Sequence, residues 1–449
     1  MVMETKSIYS HTFVVGRLAK RVCPSDLERG EQGKSWIRKV LKEHSDDWKD
    51  LTYESLCATY YSALIDSSLE TEGHHSRERF PDFLKDVCCY ELNIEGTGDV
   101  DLRLADAEPY PCRIDGVRLY FYPCDVVLFV IGIDDSGVEL DAMTFMHGRW
   151  KEWQECYAGF CCEELETLLK PLSTLLGDAT AADITADGTK TRLFQVVQTA
   201  SEEVEDDLLF ELGTFAPVGV VRHTESIPEK KRSLKPSDEY YHSVMDGNTV
   251  TAFYNWKALA LNDSFTVLAT GANFSEWERD KWNNIYFPLL YMRCLFEKTY
   301  CFGRNDNYRN NHDGRVEDVD GLLREISNME RYYFYNDISY NFLPPMIYRA
   351  MARGMDLQSD RDELTSHIKE ALRDERRRRE EDDSRKNNRI IIGLTALAAL
   401  SALSVLGTMV QFLFGIFEAK GIYWAGLALL VMCLVAFGFI LLKGNKGGK

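Results

Sequence analysis

The chain has 449 residues, with 71 acidic side chains against 52 basic ones and a formal net charge of −19 at pH 7. So acidic a protein is excluded from broad nucleic-acid binding through a basic surface, although a small anionic ligand can still meet a local cluster of Arg and Lys. Twelve Cys are scattered, with adjacent pairs only at Cys88/Cys89 and Cys161/Cys162, and none stand at Cys-x-x-Cys spacing. They read as reduced cytosolic thiols, which argues against a disulfide framework or a structural zinc site.

From the N-terminus, residues 1–30 contain no continuous apolar stretch, so no secretory leader is expected there. "HTFVVGRLA" predicts a strand, and "SWIRKVLKEHSDDWKDLTYESLCATYYSALIDS" predicts helix after it. "GEQGKS" at Gly30–Ser35 has the look of a phosphate loop, but Glu28 stands where the pattern requires Gly. His74 and His75 lie in the polar stretch "TEGHHSRER" and read as an exposed loop. The strongest β signal is "DGVRLYFYPCDVVLFVIGIDD", two apolar runs split at Tyr122, Pro123 and Cys124, which predicts two neighbouring strands. "KEWQECYAGFCCEELETLLKPLSTLL" returns to a helical pattern, and "NTVTAFYNWKALALNDSFTVLATG" predicts a hairpin turned by Asn262 and Asp263. Strands and helices alternate over residues 1–275, so a mixed α/β cytoplasmic domain is expected there. No Gly-x-Ser-x-Gly, no His-Glu-x-x-His and no catalytic-zinc spacing occurs, so the chain carries no catalytic motif.

Residues 276–343 predict a helical hairpin whose arms are joined by the polar connector "GRNDNYRNNHDG". That connector is rich in oxygen, but its spacing does not fit an EF-hand, and no metal site is assigned. Pro345 is suited to start a third helix, predicted over 345–389 as a charged stalk with opposite signs three and four positions apart, in which Gly354 is the one residue that offers a stop. No charged residue then occurs from Ile390 to Phe417 or from Gly421 to Leu442. Each run exceeds the roughly 20 apolar residues that cross a bilayer. Two spans follow, 390–417 and 421–442, joined by a connector at 418–420 and closed by a basic tail at 443–449. Arg376 to Arg379, Arg385, Lys386 and Arg389 before the first run, and Lys443, Lys446 and Lys449 after the second, predict that both termini are cytoplasmic. In the first span Ser401, Ser404, Thr408, Gln411 and Gly415 recur every three or four residues and form one polar stripe, which Leu397 continues inward. That stripe suits a pore lumen, where Leu397 would form a constriction; small residues also serve close helix packing without any pore.

An α/β domain, long helices, a stalk running into the first span, a very short outer loop and a second span: this order resembles the CorA family of metal-ion transporters. In that family five subunits form a funnel and a Gly-Met-Asn motif marks the outer mouth. Here Gly415, Ile416, Phe417 and Glu418 stand at that point, so Gly is retained while Phe417 replaces the polar Asn. An aromatic ring offers hydrated magnesium no oxygen, which counts against magnesium selectivity. The chain further resembles the branch of that family that stands beside type III CRISPR systems as antiviral membrane effectors opened by a nucleotide second messenger. The resemblance implies a homopentameric channel in a bacterial inner membrane, with the conjugate of S-adenosylmethionine and AMP (SAM-AMP) as candidate ligand and no resident cofactor. A divalent-cation transporter for Mg, Co or Ni, and a non-conducting membrane-anchored binding protein, are the alternatives. For a phosphate and a base, "HGRWKEW" offers Arg149 and Lys151 beside Trp150 and Trp153, and "YNWKAL" offers Trp256 with Lys257. A plain amphipathic helix start is the other reading of "HGRWKEW".

Overall fold

A computed structural model describes residues 6–17, 48–51, 88–92, 100–102, 110–122, 124, 126–151, 191–221, 235–271, 274–310, 319–332 and 341–416. Its contacts divide the chain into two units, Met1–Lys369 and Glu370–Lys449.

The first unit is built on one large sheet. Its strands are β1 (Tyr9–Arg17), β2 (Trp48–Leu51), β3 (Cys88–Leu92), β4 (Val100–Leu102), β5 (Tyr110–Tyr122), β6 (Val126–Asp134), β7 (Arg192–Thr199), β8 (Thr249–Val250), β9 (Trp256–Ala260) and β10 (Ser264–Thr270). Their spatial order is β2-β3-β5-β6-β1-β7-β10-β9-β8, with β4 on β5. The β7–β10 pair is parallel, whereas β1 pairs antiparallel with both β6 and β7. The two predicted hairpins are both present, β5–β6 turning at Cys124 and β9–β10 turning at Asn262 and Asp263.

Helices cover both faces, which explains why β6 reads as a continuous apolar run with no polar alternation. On one face lie α1 (Leu140–Trp150), α2 (Asp206–Thr214) and α3 (Asp238–Asn248), through Leu140, Met143, Leu209 and Met245 against Val197, Leu259 and Leu268. The other face carries α4 (Glu276–Lys281), a π-helix (Trp282–Tyr291), α5 (Met292–Asn310), α6 (Val319–Tyr332) and α7 (Leu343–Gly354). Aromatic rings dominate this second core: Phe13 stacks on Phe287 at 3.8 Å and Trp256 meets Trp282 edge-on at 5.1 Å. Such pairs add about 0.5–1.5 kcal/mol beyond their area burial. Ser275 and Glu278 form a reciprocal capping box that starts α4.

The last element among the described residues is α8, Leu357–Ile416, 60 residues or about 90 Å of helix. Its first turns belong to the first unit, where Leu357 and Leu364 are core residues. Its later part, in the second unit, holds an uncharged segment of mean hydropathy 2.3, none of it buried inside the protein, which is long and apolar enough to cross a membrane.

The expected single helix from Pro345 through the stalk is instead two. Gly354 presses on β9, where an added Cβ would stand 2.5 Å from the Ala260 carbonyl oxygen, and Asp356 takes a left-handed φ of 54° that ends α7. The polar connector beginning at Gly303 is likewise helical as far as Asn310. Its side chains are committed to neighbouring helices: Arg304 pairs with Glu325 of α6 at 2.5 Å, and Asn305 donates to the Asp360 carbonyl of α8 at 3.3 Å. Inside the helix predicted over residues 35–67, Trp48–Leu51 form strand β2 instead, paired antiparallel with β3, because sheet pairing overrides the local helical pattern there. The rest of that segment, the "GEQGKS" loop, His74/His75, the helix predicted over 152–176, the outer connector, the second span and the basic tail lie outside the described residues.

Candidate functional site

The polar site of the sheet begins with a register fault. β1 lies beside β6 with His11 opposite Asp134 and Phe13 opposite Gly132, while the β5–β6 pairing skips between Ile114 and Gly116. Asp115 is therefore the extra residue of a β-bulge. The bulge has two effects. Arg113 and Arg118 are an odd number of positions apart, so regular alternation would send them to opposite faces; with one residue inserted, both line the same cleft. It also frees the Asp115 carboxylate to cross over β6 and reach β1, where its Oδ2 lies 2.6 Å from His11 Nε2. Gly132 keeps that crossing open, since a Cβ there would stand 2.3 Å from Asp115 Oδ1.

The resulting cleft has a volume of about 240 Å³, and its polar wall is made by His11, Arg113, Asp115, Arg118, Asp134 and Asn283. Each cation in it has an anionic neighbour, Arg113 bonding Asp134 at 3.0 Å and Arg118 bonding Glu91 at 2.7 Å. Burial opposes ionisation of Asp115, but the His11 hydrogen bond and charge, with Arg118 and Arg113 behind them, hold its carboxyl below the usual carboxylate range. The π-helix supplies Asn283, whose Nδ2 donates to the Tyr9 hydroxyl at 2.6 Å. Burial pushes the Tyr9 hydroxyl up to about 12, so it keeps its own proton. Pro288, lacking an N–H, sits inside this π-helix, and π-turns concentrate at functional positions.

Two buried atoms of this cleft-lining set have no partner: His11 Nδ1 and Asn283 Oδ1. Leaving a buried polar atom unmatched costs about 1–3 kcal/mol, so a fold that keeps two of them beside a cleft has an incentive to bind something there.

A second histidine–aspartate pair lies on the opposite face of the sheet, beneath α1. His147 and Asp135 have fully buried side chains 2.8 Å apart. Tyr110 donates to the same Asp135 oxygen at 2.6 Å, and Gln195 Oε1 meets His147 Nδ1 at 2.7 Å while its amide donates to Leu212 O and Thr266 Oγ1. Burial opposes the charge on Asp135, but the His147 contact holds its carboxyl low. With the side chains of His147 and Asp135 both fully buried, this network ties α1 to β5, β7 and β10 and presents no surface to a ligand.

The residues proposed from sequence for a phosphate and a base are not gathered by the fold. Trp150 is 0% exposed, edge-on to Tyr110, and Trp256 is 3% exposed against Trp282, so both are core side chains with no face for a base. Lys151 pairs with Asp263 at 2.5 Å and Lys257 with Asp206 at 2.6 Å; Arg149 is exposed, over the Phe145 ring. Trp153 lies outside the described residues. On α8, Leu397, Ser401, Ser404, Thr408 and Gln411 share one exposed helical face. Ser401 donates to the Leu397 carbonyl and Thr408 to the Ser404 carbonyl, each at 2.9 Å, so both hydroxyls are satisfied within their own helix. Gly415 and Ile416 complete α8, while Phe417 and Glu418 lie outside the described residues. Among the described residues no group of three or more His, Cys, Asp or Glu is arranged to hold a metal ion. The cleft carried one sequence signal that periodicity ignores: the polar Asp115-Gly116 step inside an apolar strand, facing the lone His11 of β1. No family model, no curated protein and no solved structure matches this chain.

Proposed function

We propose that this protein is a ligand-gated membrane channel of CorA-like design, in which the α/β domain senses a small cytoplasmic ligand and α8 carries the response into the membrane. The observation that carries the reading is α8 itself. One unbroken helix begins among core residues Leu357 and Leu364, where Arg361 is ion-paired to the fully buried Glu297, and continues into an apolar segment of membrane-spanning length. A ligand that shifts the helices around Glu297 has a direct mechanical path to the span.

In this reading the chain forms a closed homopentameric ring in a bacterial inner membrane with both termini cytoplasmic, and the stripe from Leu397 through Gly415 faces the lumen. The messenger is a nucleotide derivative, SAM-AMP being the first to test, and the setting is type III CRISPR defence. Moving a gate from 1:99 to 99:1 takes about 5.5 kcal/mol of preference for the open state. Five equivalent sites supply that at roughly 1.1 kcal/mol each, the scale of one charge-assisted hydrogen bond. A second reading, a non-conducting anchored binding protein, is favoured by the self-satisfied hydroxyls of Ser401 and Thr408, which do not require a wet lumen. Ion flux from liposomes holding the purified protein decides. Flux that appears only with SAM-AMP or a cyclic oligoadenylate supports the channel; ligand-independent magnesium flux means a transporter, and no flux under any condition means an anchor.

A further inference from the structure

The cleft between β1, β5, β6 and the start of the π-helix is built for a ligand that carries both signs of charge. Two guanidiniums, Arg113 and Arg118, and two carboxylates, Asp115 and Asp134, line one space of about 240 Å³. A plain anion entering it meets the two carboxylates, and a plain cation meets the two arginines. A species with separated positive and negative ends meets a counter-charge at each end.

The hydrogen-bonding inventory narrows this further. Each guanidinium has five N–H donors, and Arg113 and Arg118 each commit one to a neighbouring carboxylate, which leaves donors for a planar oxyanion. One unmatched atom is of the opposite kind. Asn283 directs its amide nitrogen to Tyr9 and so presents its oxygen, an acceptor. His11 turns Nε2 toward Asp115 and leaves Nδ1 without a partner. His11 is 6% exposed, so water has little access to that nitrogen. An ammonium group brings three N–H donors and a positive charge for Asp115 and Asp134. The volume is below the roughly 300–1,000 Å³ of pockets for drug-sized ligands, so it suits a small molecule or the head of a larger one.

We infer that this cleft binds the zwitterionic head of an α-amino acid, free or as part of a larger metabolite, with its ammonium toward Asn283 and Asp115 and its carboxylate toward Arg113 and Arg118. This names a ligand class for the sensor domain proposed above and rests on that reading only for its consequence at the membrane.

The test is calorimetry on the full chain in detergent micelles, with each of the twenty free L-amino acids as probe. The tightest binder is then repeated as its N-acetyl derivative and as its carboxamide. Inorganic phosphate and putrescine serve as single-charge probes. The expected result is at least one amino acid with a Kd at or below about 1 mM, and at least tenfold weaker binding for both derivatives. Asn283→Ala and Arg113→Gln should each weaken it by a similar factor; Arg113 has an exposed side chain, so its variant keeps the fold. Absence of binding by every amino acid, equal binding of the blocked derivatives, binding of phosphate or putrescine as tight as that of any amino acid, or wild-type affinity in both variants overturns the inference. The two readings fail separately. Amino-acid binding without ligand-dependent flux removes the channel and keeps the site, whereas nucleotide-opened flux without amino-acid binding does the reverse.

Discussion

Asp115, Gly132 and His11 hold one another in place across three strands, and each can be tested alone. In Gly132→Ala the new methyl group displaces the Asp115 carboxylate, which is the mobile end of a partly exposed side chain, so the fold is retained. The expected outcome is a change of under about 1.5 kcal/mol in stability, read by thermal unfolding, with loss of the hydrogen-bonded His11 ring signal by NMR. The buried pair on the other face behaves differently. Asp135→Asn leaves His147 without its anion in a site of 0% exposure, and removing one partner of such a pair costs about 3–5 kcal/mol. Because the Asp135 pKa is lowered in the folded protein, its contribution is present above the unfolded value near 3.8 and fades as pH falls through the folded value. The stability gap between wild type and Asp135→Asn should therefore be constant near neutral pH and shrink below about pH 3.8, as thermal unfolding across pH would record. Little of this was legible beforehand. An aromatic beside a cation, as at Trp150 and Lys151, looks the same in sequence whether the ring faces a ligand or the core, and only burial separates the two. The partnership of His11 with Asp115 depends on a register fault between two other strands, which no local pattern encodes.

Among the elements, the two hairpins were legible because each has apolar runs bounded by turn residues, and both the pattern and the turn are local. The π-helix was not, and the α7–α8 break was legible only as a weak point at Gly354, since the causes of both are tertiary. Gly354 ends a run of good helical sequence because α7 lies against the backbone of β9, and Gly354→Ala should lower stability by about 1–3 kcal/mol, the cost of overpacking against backbone that cannot yield. The base of α8 depends on Glu297, a fully buried carboxylate on α5 that accepts from Arg293, the Tyr348 hydroxyl and Arg361. Glu297→Gln removes the charge that compensates two arginines at once. It should cost about 3–5 kcal/mol in thermal unfolding, while Arg309→Ala, which breaks an exposed pair between α5 and Glu363 of α8, should cost under about 1 kcal/mol. Equal effects would mean that Glu297 is not the anchor of α8.

For the whole molecule, the sequence reported an apolar segment of spanning length and an α/β domain ahead of it, and α8 adds that the segment continues a helix rooted in that domain. Whether the span lines water is a question of which face of α8 does so. At 100° per residue Ser404, Thr408 and Gln411 fall within about 60° of one another, whereas Leu406 and Val410 point to the opposite side. A single hairpin cannot enclose a lumen, so a channel requires a ring, and the mass in mild detergent should be a multiple of the 51.5 kDa chain, five in the CorA-like design. Within such a ring, cysteines at 404, 408 and 411 should react with a membrane-impermeant thiol reagent when the activating ligand is present and slow at least tenfold without it. Cysteines at 406 and 410 should stay slow in both states, because lipid or a neighbouring helix excludes the charged reagent. The twelve native cysteines set the background, measured on the unsubstituted chain. Equal, ligand-independent labelling of both faces places no lumen on the stripe, and with a monomeric mass it reduces α8 to an anchor.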